Sequence, residues 1–120
     1  MLPDVKKFDP SKEYYFNEGC YITEIINSKD DPDLSIARAR VEPGVTTKLH
    51  KLINTIERYV IVEGEGLVEV GDMTPCEVGV GDTVIIPAEC PQKITNVGAR
   101  DLIFLAICSP RFKINHYIEI

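Results

Sequence analysis

His50, Glu57, Tyr59 and Gln92 are the side chains through which this chain could do chemistry. An imidazole and a carboxyl can exchange protons as general base and acid near neutral pH, and a phenol can hydrogen-bond a bound molecule. They sit in two runs of regular spacing. The first is GVTTKLHKLINTIERYVIVEG, in which Gly44, His50, Leu52, Glu57 and Gly64 are separated by five, one, four and six residues. The second is GDTVIIPAECPQKITN, in which Gly81, Pro87, Glu89, Gln92 and Asn96 are separated by five, one, two and three. Side chains two apart on a strand face the same way. An inward His50 therefore brings Leu52 with it if the strand continues, Glu57 opens a return strand with Tyr59 and Ile61 on its face, and Gln92 and Ile94 share a later one.

The elements that must position these residues read as strands throughout. Apolar, β-branched runs occupy residues 20–26, 34–41, 46–50, 58–63, 67–70, 76–78, 83–87, 92–96 and 102–108, and no segment has a helical period. Between them lie NSKDDPD, EPG, GEG, GDMTP, GVGD and NVGARD, whose residues accept positive φ or close a turn by local hydrogen bonds. This pattern predicts a barrel or sandwich. Residues 35–41 alternate as a half-exposed strand would, whereas LIFLAIC, residues 102–108, is apolar on both faces and suits a strand buried against a second surface, such as another subunit.

Together the two runs resemble the paired motif of the cupin family over residues 44–96. That resemblance implies one domain over residues 1–120, all-β, folded as a double-stranded β-helix (jelly-roll) barrel. In metal-binding members the positions of His50, Leu52, Glu57 and Gln92 carry His, His, Glu and His, and that of Glu89 is usually Gly. The resemblance thus implies a metal set of His50, Glu57 and Gln92, with Leu52 where a second imidazole would stand. An imidazole, a carboxylate and a carboxamide oxygen could hold a divalent cation such as zinc, nickel, manganese or iron. The alternative is a metal-free hydrogen-bonded cluster in which His50 donates to Glu57 and Gln92 satisfies the remaining groups. His50, Glu57 and Tyr59 are the catalytic candidates.

Other residues are less suited to chemistry. Glu89 is expected at the barrel rim facing solvent, His116 at a surface or interface, and Gly44, Gly64 and Gly81 in turns. Cys20 and Cys108 lie in apolar runs as small hydrophobes, while Cys90, two residues before Gln92, could face the site. The four widely spaced cysteines, with no signal-peptide h-region, predict free thiols and a cytoplasmic protein.

The net charge of −6 with scattered cations argues against nucleic acid as a partner, and no apolar run is long enough for a membrane span. Residues 1–19 and 111–120 are rich in aromatic and branched side chains, so both ends are expected to pack on the barrel or on a partner in a homodimer. Nucleophile elbows, Walker sequences and dinucleotide-binding glycine loops are absent. Two functions follow: a small-molecule-binding cupin, or a metal-dependent enzyme of dioxygenase, isomerase, epimerase or decarboxylase type acting on a small acid, sugar or phenol. Fold alone does not choose between them.

Overall fold

A computed structural model describes all of residues 1–120 as two antiparallel sheets closed over one core. In chain order the strands are β1 (Tyr14–Phe16), β2 (Cys20–Ile26), β3 (Ser35–Val41), β4 (His50–Leu52), β5 (Ile56–Glu63), β6 (Gly66–Val70), β7 (Cys76–Val78), β8 (Thr83–Ile86), β9 (Gln92–Asn96), β10 (Leu102–Ser109) and β11 (Tyr117–Glu119). One sheet runs β1-β2-β3-β10-β5-β8 and the other β11-β4-β9-β6-β7. The expected double-stranded β-helix is therefore present, and the only helical pieces are 3-10 turns at Pro10–Lys12 and Ile114–His116.

Period-two burial builds the core. In β5 Glu57, Tyr59 and Ile61 are buried, in β6 Val68 and Val70, and in β9 Gln92, Ile94 and Asn96, while their neighbours face outward. Apolar side chains fill one end of the interior, with Ile94 and Leu102 fully buried, and polar ones converge at the other. Asn96 explains its place in the second motif. Its Nδ2 donates to the carbonyls of Val41 and Arg100, both at 2.8 Å, and its Oδ1 accepts from the Gly98 amide at 2.9 Å.

Two turn positions show why the motif spacing is strict. Gly64 has φ +85°, and a Cβ there would lie 2.8 Å from the Asp101 carbonyl oxygen. Glu89, at a position usually Gly in the family, has φ +69°. It is exposed at the rim, where its Oε1 accepts from the Asn54 amide at 3.2 Å.

Several expectations change in detail. Residues 46–49 form no strand: Thr46 makes only an isolated bridge to Thr95, and the buried Thr47 uses its hydroxyl on the backbone of Ile94. Pairing restarts at His50, so Leu52 does share the inward face. The outer face of β3 is not simply solvated, because Glu13 from the N-terminal segment pairs with Arg40 at 2.7 Å and Arg38 at 3.6 Å. Both ends add strands to their own barrel, β1 on β2 and β11 on β4, through backbone pairing that composition alone could not reveal. No helix is long and apolar enough to cross a membrane. All four cysteines are free thiols, with Cys20 and Cys108 buried.

Candidate functional site

A cavity of about 580 Å³ opens between the sheets, its walls largely apolar and its floor made by Glu18, His50, Glu57 and Tyr59. His50 is held at the start of β4, where its ring Nδ1 lies 2.8 Å from the carbonyl of Lys48. A carbonyl can only accept, so Nδ1 carries the proton and Nε2 presents its lone pair to the cavity side. The atom facing that lone pair is Oε1 of Glu18, at 3.0 Å. Tyr117 of β11 stacks on the imidazole, with ring centroids 4.9 Å apart.

The second half of the floor is a hydrogen-bonded chain. The Tyr59 hydroxyl donates to Oε1 of Gln92 in a short hydrogen bond, and Nε2 of Gln92 donates to Oε1 of Glu57 at 2.8 Å. The Cys108 thiol donates to the other Glu57 oxygen at 3.6 Å, and the Cys20 thiol donates to Oε2 of Glu18 at 3.5 Å. Tyr59 also packs on Phe104, centroid to centroid 4.3 Å.

Burial dominates the electrostatics. It raises Glu18 to about 8, helped by the nearby Glu57 charge, and raises Glu57 to about 7 against the hydrogen bonds from Gln92 and Cys108. Burial likewise lowers the imidazolium tendency of His50 and pushes the Tyr59, Cys20 and Cys108 protons to higher pH. The shifts of Glu18 and His50 agree: both favour neutral forms. The consistent arrangement is a protonated Glu18 donating to Nε2 of a neutral His50.

His50, Glu57 and Gln92 are thus brought to one polar cluster, with Tyr59, but the pairing differs from the expected one. His50 meets Glu18, not Glu57, while Gln92 joins Glu57 to Tyr59. Glu18 is the residue missed in the sequence. Its signal was the inward period of β2: Cys20 is buried, and stepping back two residues past the Gly19 turn gives Glu18 on the same side. Cys90 does not line the cavity; its thiol lies 3.8 Å from the Pro91 carbonyl. His116 is also away from the cavity, and its carbonyl accepts from the Ile53 amide at 2.9 Å.

The donor set does not fit a divalent cation. Both oxygens of Glu57, the oxygen of Gln92 and the Nε2 of His50 are engaged by donors inside the protein, and Leu52 fills the place of a second imidazole with a buried aliphatic side chain. No three His, Cys, Asp or Glu side chains converge in a way that could hold a metal ion. A cation would have to break several of these bonds.

Comparison with known proteins matches this geometry to a family. The pattern described as a cupin domain covers residues 37–108. An uncharacterized protein of Methanocaldococcus jannaschii is 36% identical over 108 residues, which are 88% of this chain and 86% of that one. Among solved structures, KdgF from Halomonas sp. superposes with TM-score 0.81 at 15% identity, covering 93% of this chain and 97% of that one. A Streptomyces Pac13 variant with uridine superposes with TM-score 0.79 at 16% identity, covering 100% and 92%. The Pac13 structure itself is described as that of a unique nucleoside dehydratase. At such identities these structural likenesses speak for the fold.

Proposed function

The chain belongs to the cupin family, and we propose that its barrel binds a small organic molecule and transfers protons to and from it without a resident metal. The observation that carries this reading is the 3.0 Å contact between Glu18 and His50 on the floor of a large, mostly apolar cavity. Such a cavity takes up the apolar body of a ligand, and the few converging polar groups orient it.

The two carboxyls have separate roles. Glu57, at about 7, is the group more readily ionised near neutral pH and acts as the base, its charge supported by Gln92 and Cys108. Glu18, at about 8, keeps its proton longer and acts as the acid. His50 holds that acid in place and can take or return its proton through Nε2, while its own Nδ1 proton stays fixed on the Lys48 carbonyl. Tyr59 acts through Gln92 and orients the base rather than reacting. The reaction class is proton abstraction and return at a carbon next to a carbonyl, or elimination of water, in which Glu57 takes the carbon-bound proton, a C=C bond forms and Glu18 protonates the departing hydroxyl.

Deuterium incorporation tests this before the substrate is identified. A panel of small ketones and hydroxy acids incubated with the protein in D2O should yield at least one compound that gains deuterium. The exchange should persist in chelator and vanish in Glu57→Gln. Exchange lost on chelation, or unchanged in Glu57→Gln, would refute the reading.

A further inference from the structure

The C-terminal segment crosses from one sheet to the other over the cavity. At its start, the Arg111 amide donates to the Pro32 carbonyl at 3.0 Å and the Phe112 amide to the Ser35 hydroxyl at 2.8 Å, while Asn27 donates to the Phe112 carbonyl at 2.9 Å. At its end, β11 pairs with β4, placing Tyr117 opposite Leu52 and Glu119 opposite His50. Both ends of residues 111–117 are thereby tied down, so this stretch is a fixed wall of the pocket.

Two side chains on that wall have unmet needs. Tyr117 lines the cavity, and its hydroxyl is buried with no hydrogen-bond partner in the protein. Buried polar atoms in folded proteins nearly always find a partner, and an exception beside a cavity calls for one from the occupant. Its ring stacks on His50, so the acceptor it lacks belongs close to the proton-transfer groups. Arg111 is the second. Half-buried and lining the same cavity, its guanidinium bonds only the neutral Asn27 oxygen, at 2.9 Å. Neither Arg111 nor the neighbouring Lys113, which also lines the cavity, makes an ion pair, whereas Arg38 and Arg40 are paired. Glu24, the remaining carboxyl on the lining, accepts from Tyr14 at 3.5 Å and does not reach Arg111. In a chain of net charge −6, two uncompensated cations on one pocket wall mark a place for an anion.

We propose that residues 111–117 read the ligand, with Arg111 binding a carboxylate and Tyr117 donating to a carbonyl or hydroxyl oxygen at the other end. The occupant is then a small oxygenated carboxylic acid, a keto or hydroxy acid, held carboxylate toward Arg111 and oxygen toward His50. A planar carboxylate matches the guanidinium fork and brings a single negative charge to a lining that also carries Glu24 and Glu57. This assignment rests on the reading that the barrel is a small-molecule pocket.

Calorimetric titration with para-acetylbenzoate, its neutral isostere para-acetylbenzamide, and benzoate separates the two ideas. In the native protein the carboxylate should bind about tenfold or more tighter than the carboxamide, the expectation for one charge-assisted contact. Arg111→Gln should bring the two to equal affinity, and Tyr117→Phe should erase the advantage of para-acetylbenzoate over benzoate while leaving the charge preference intact. Because Arg111 also anchors Asn27, salt titration of the native protein gives a second readout: added salt should weaken the carboxylate and leave the carboxamide unchanged. Equal binding of carboxylate and carboxamide by the native protein would overturn the assignment and leave the pocket standing, as would a charge preference that survives Arg111→Gln. Failure of all three probes to bind would sink the pocket reading and this assignment with it.

Discussion

Oε1 of Glu18, in the turn leading into β2 of one sheet, lies 3.0 Å from Nε2 of His50, at the start of β4 in the other. The contact joins the two sheets at the polar end of the cavity. It also fixes the protonation logic, because the opposite ring nitrogen is already committed to a backbone carbonyl.

Stability should therefore depend on pH with a defined sign. Glu18 and Glu57 have folded values of about 8 and about 7 against an ordinary 4.5, so the folded state holds protons that the unfolded chain releases. Their contribution is complete below about 4.5 and is lost as pH rises through 7 and 8. His50, lowered from 6.5, works the other way and loses its contribution as pH falls through its folded value. Thermal melting should show the midpoint falling by several degrees from pH 6 to pH 9. Glu18→Gln should flatten this slope and raise the midpoint at pH 9, since the amide donates to His50 as the protonated acid does. A midpoint that rises over that range would contradict the assignment.

Metal affinity should be recoverable by substitution. Leu52→His with Gln92→His supplies two imidazoles and removes the amide that occupies Glu57 and Tyr59. After reconstitution, elemental analysis should find about one zinc or nickel per chain in the double variant and far less in the parent. Equal metal in both, or none in the variant, would count against the geometry described.

Glu89 should be replaceable by the residue its backbone asks for. With φ +69°, Glu89→Gly relieves left-handed strain of about 1 kcal/mol, offset in part by the lost bond from the Asn54 amide. Urea unfolding should show the variant as stable as the parent or slightly more so. Gly64→Ala is the opposite case, because its Cβ would meet backbone at 2.8 Å, and it should destabilise by more than about 1 kcal/mol.

We expect a homodimer. The outer face around β5, β8 and β10 carries Ile56, Val62 and Ile85, all exposed, next to the half-buried Leu105 and Ile107. Light scattering at micromolar concentration should give twice the chain mass, and Ile85→Glu should shift it toward the single chain. A parent protein that is already monomeric would end the idea.

Much of the fold was legible because turn chemistry punctuates it. Gly64, Gly81 and Asn96 close specific turns, and the runs between them alternate with period two, so the boundaries of β2, β7 and β9 coincide with the sequence reading. The clustering of His50, Glu57 and Gln92 was legible for the same reason. Glu18 and Tyr117 were not. Glu18 lies two residues before Cys20 but beyond the Gly19 turn, where the strand period is interrupted. Tyr117 reaches the site from a terminal segment, and placing it requires knowing that β11 pairs with β4. Such pairing is set by long-range backbone registry and leaves little trace in local composition.

The most direct measurement is the protonation state of the Glu18 and His50 pair, read by NMR from carboxyl carbon and imidazole nitrogen shifts across pH 4 to 10. At pH 7 His50 should be neutral and protonated on Nδ1, and the Glu18 carboxyl should release its proton only near 8. An imidazolium paired with a Glu18 carboxylate that titrates in the ordinary range near 4.5 would contradict this assignment.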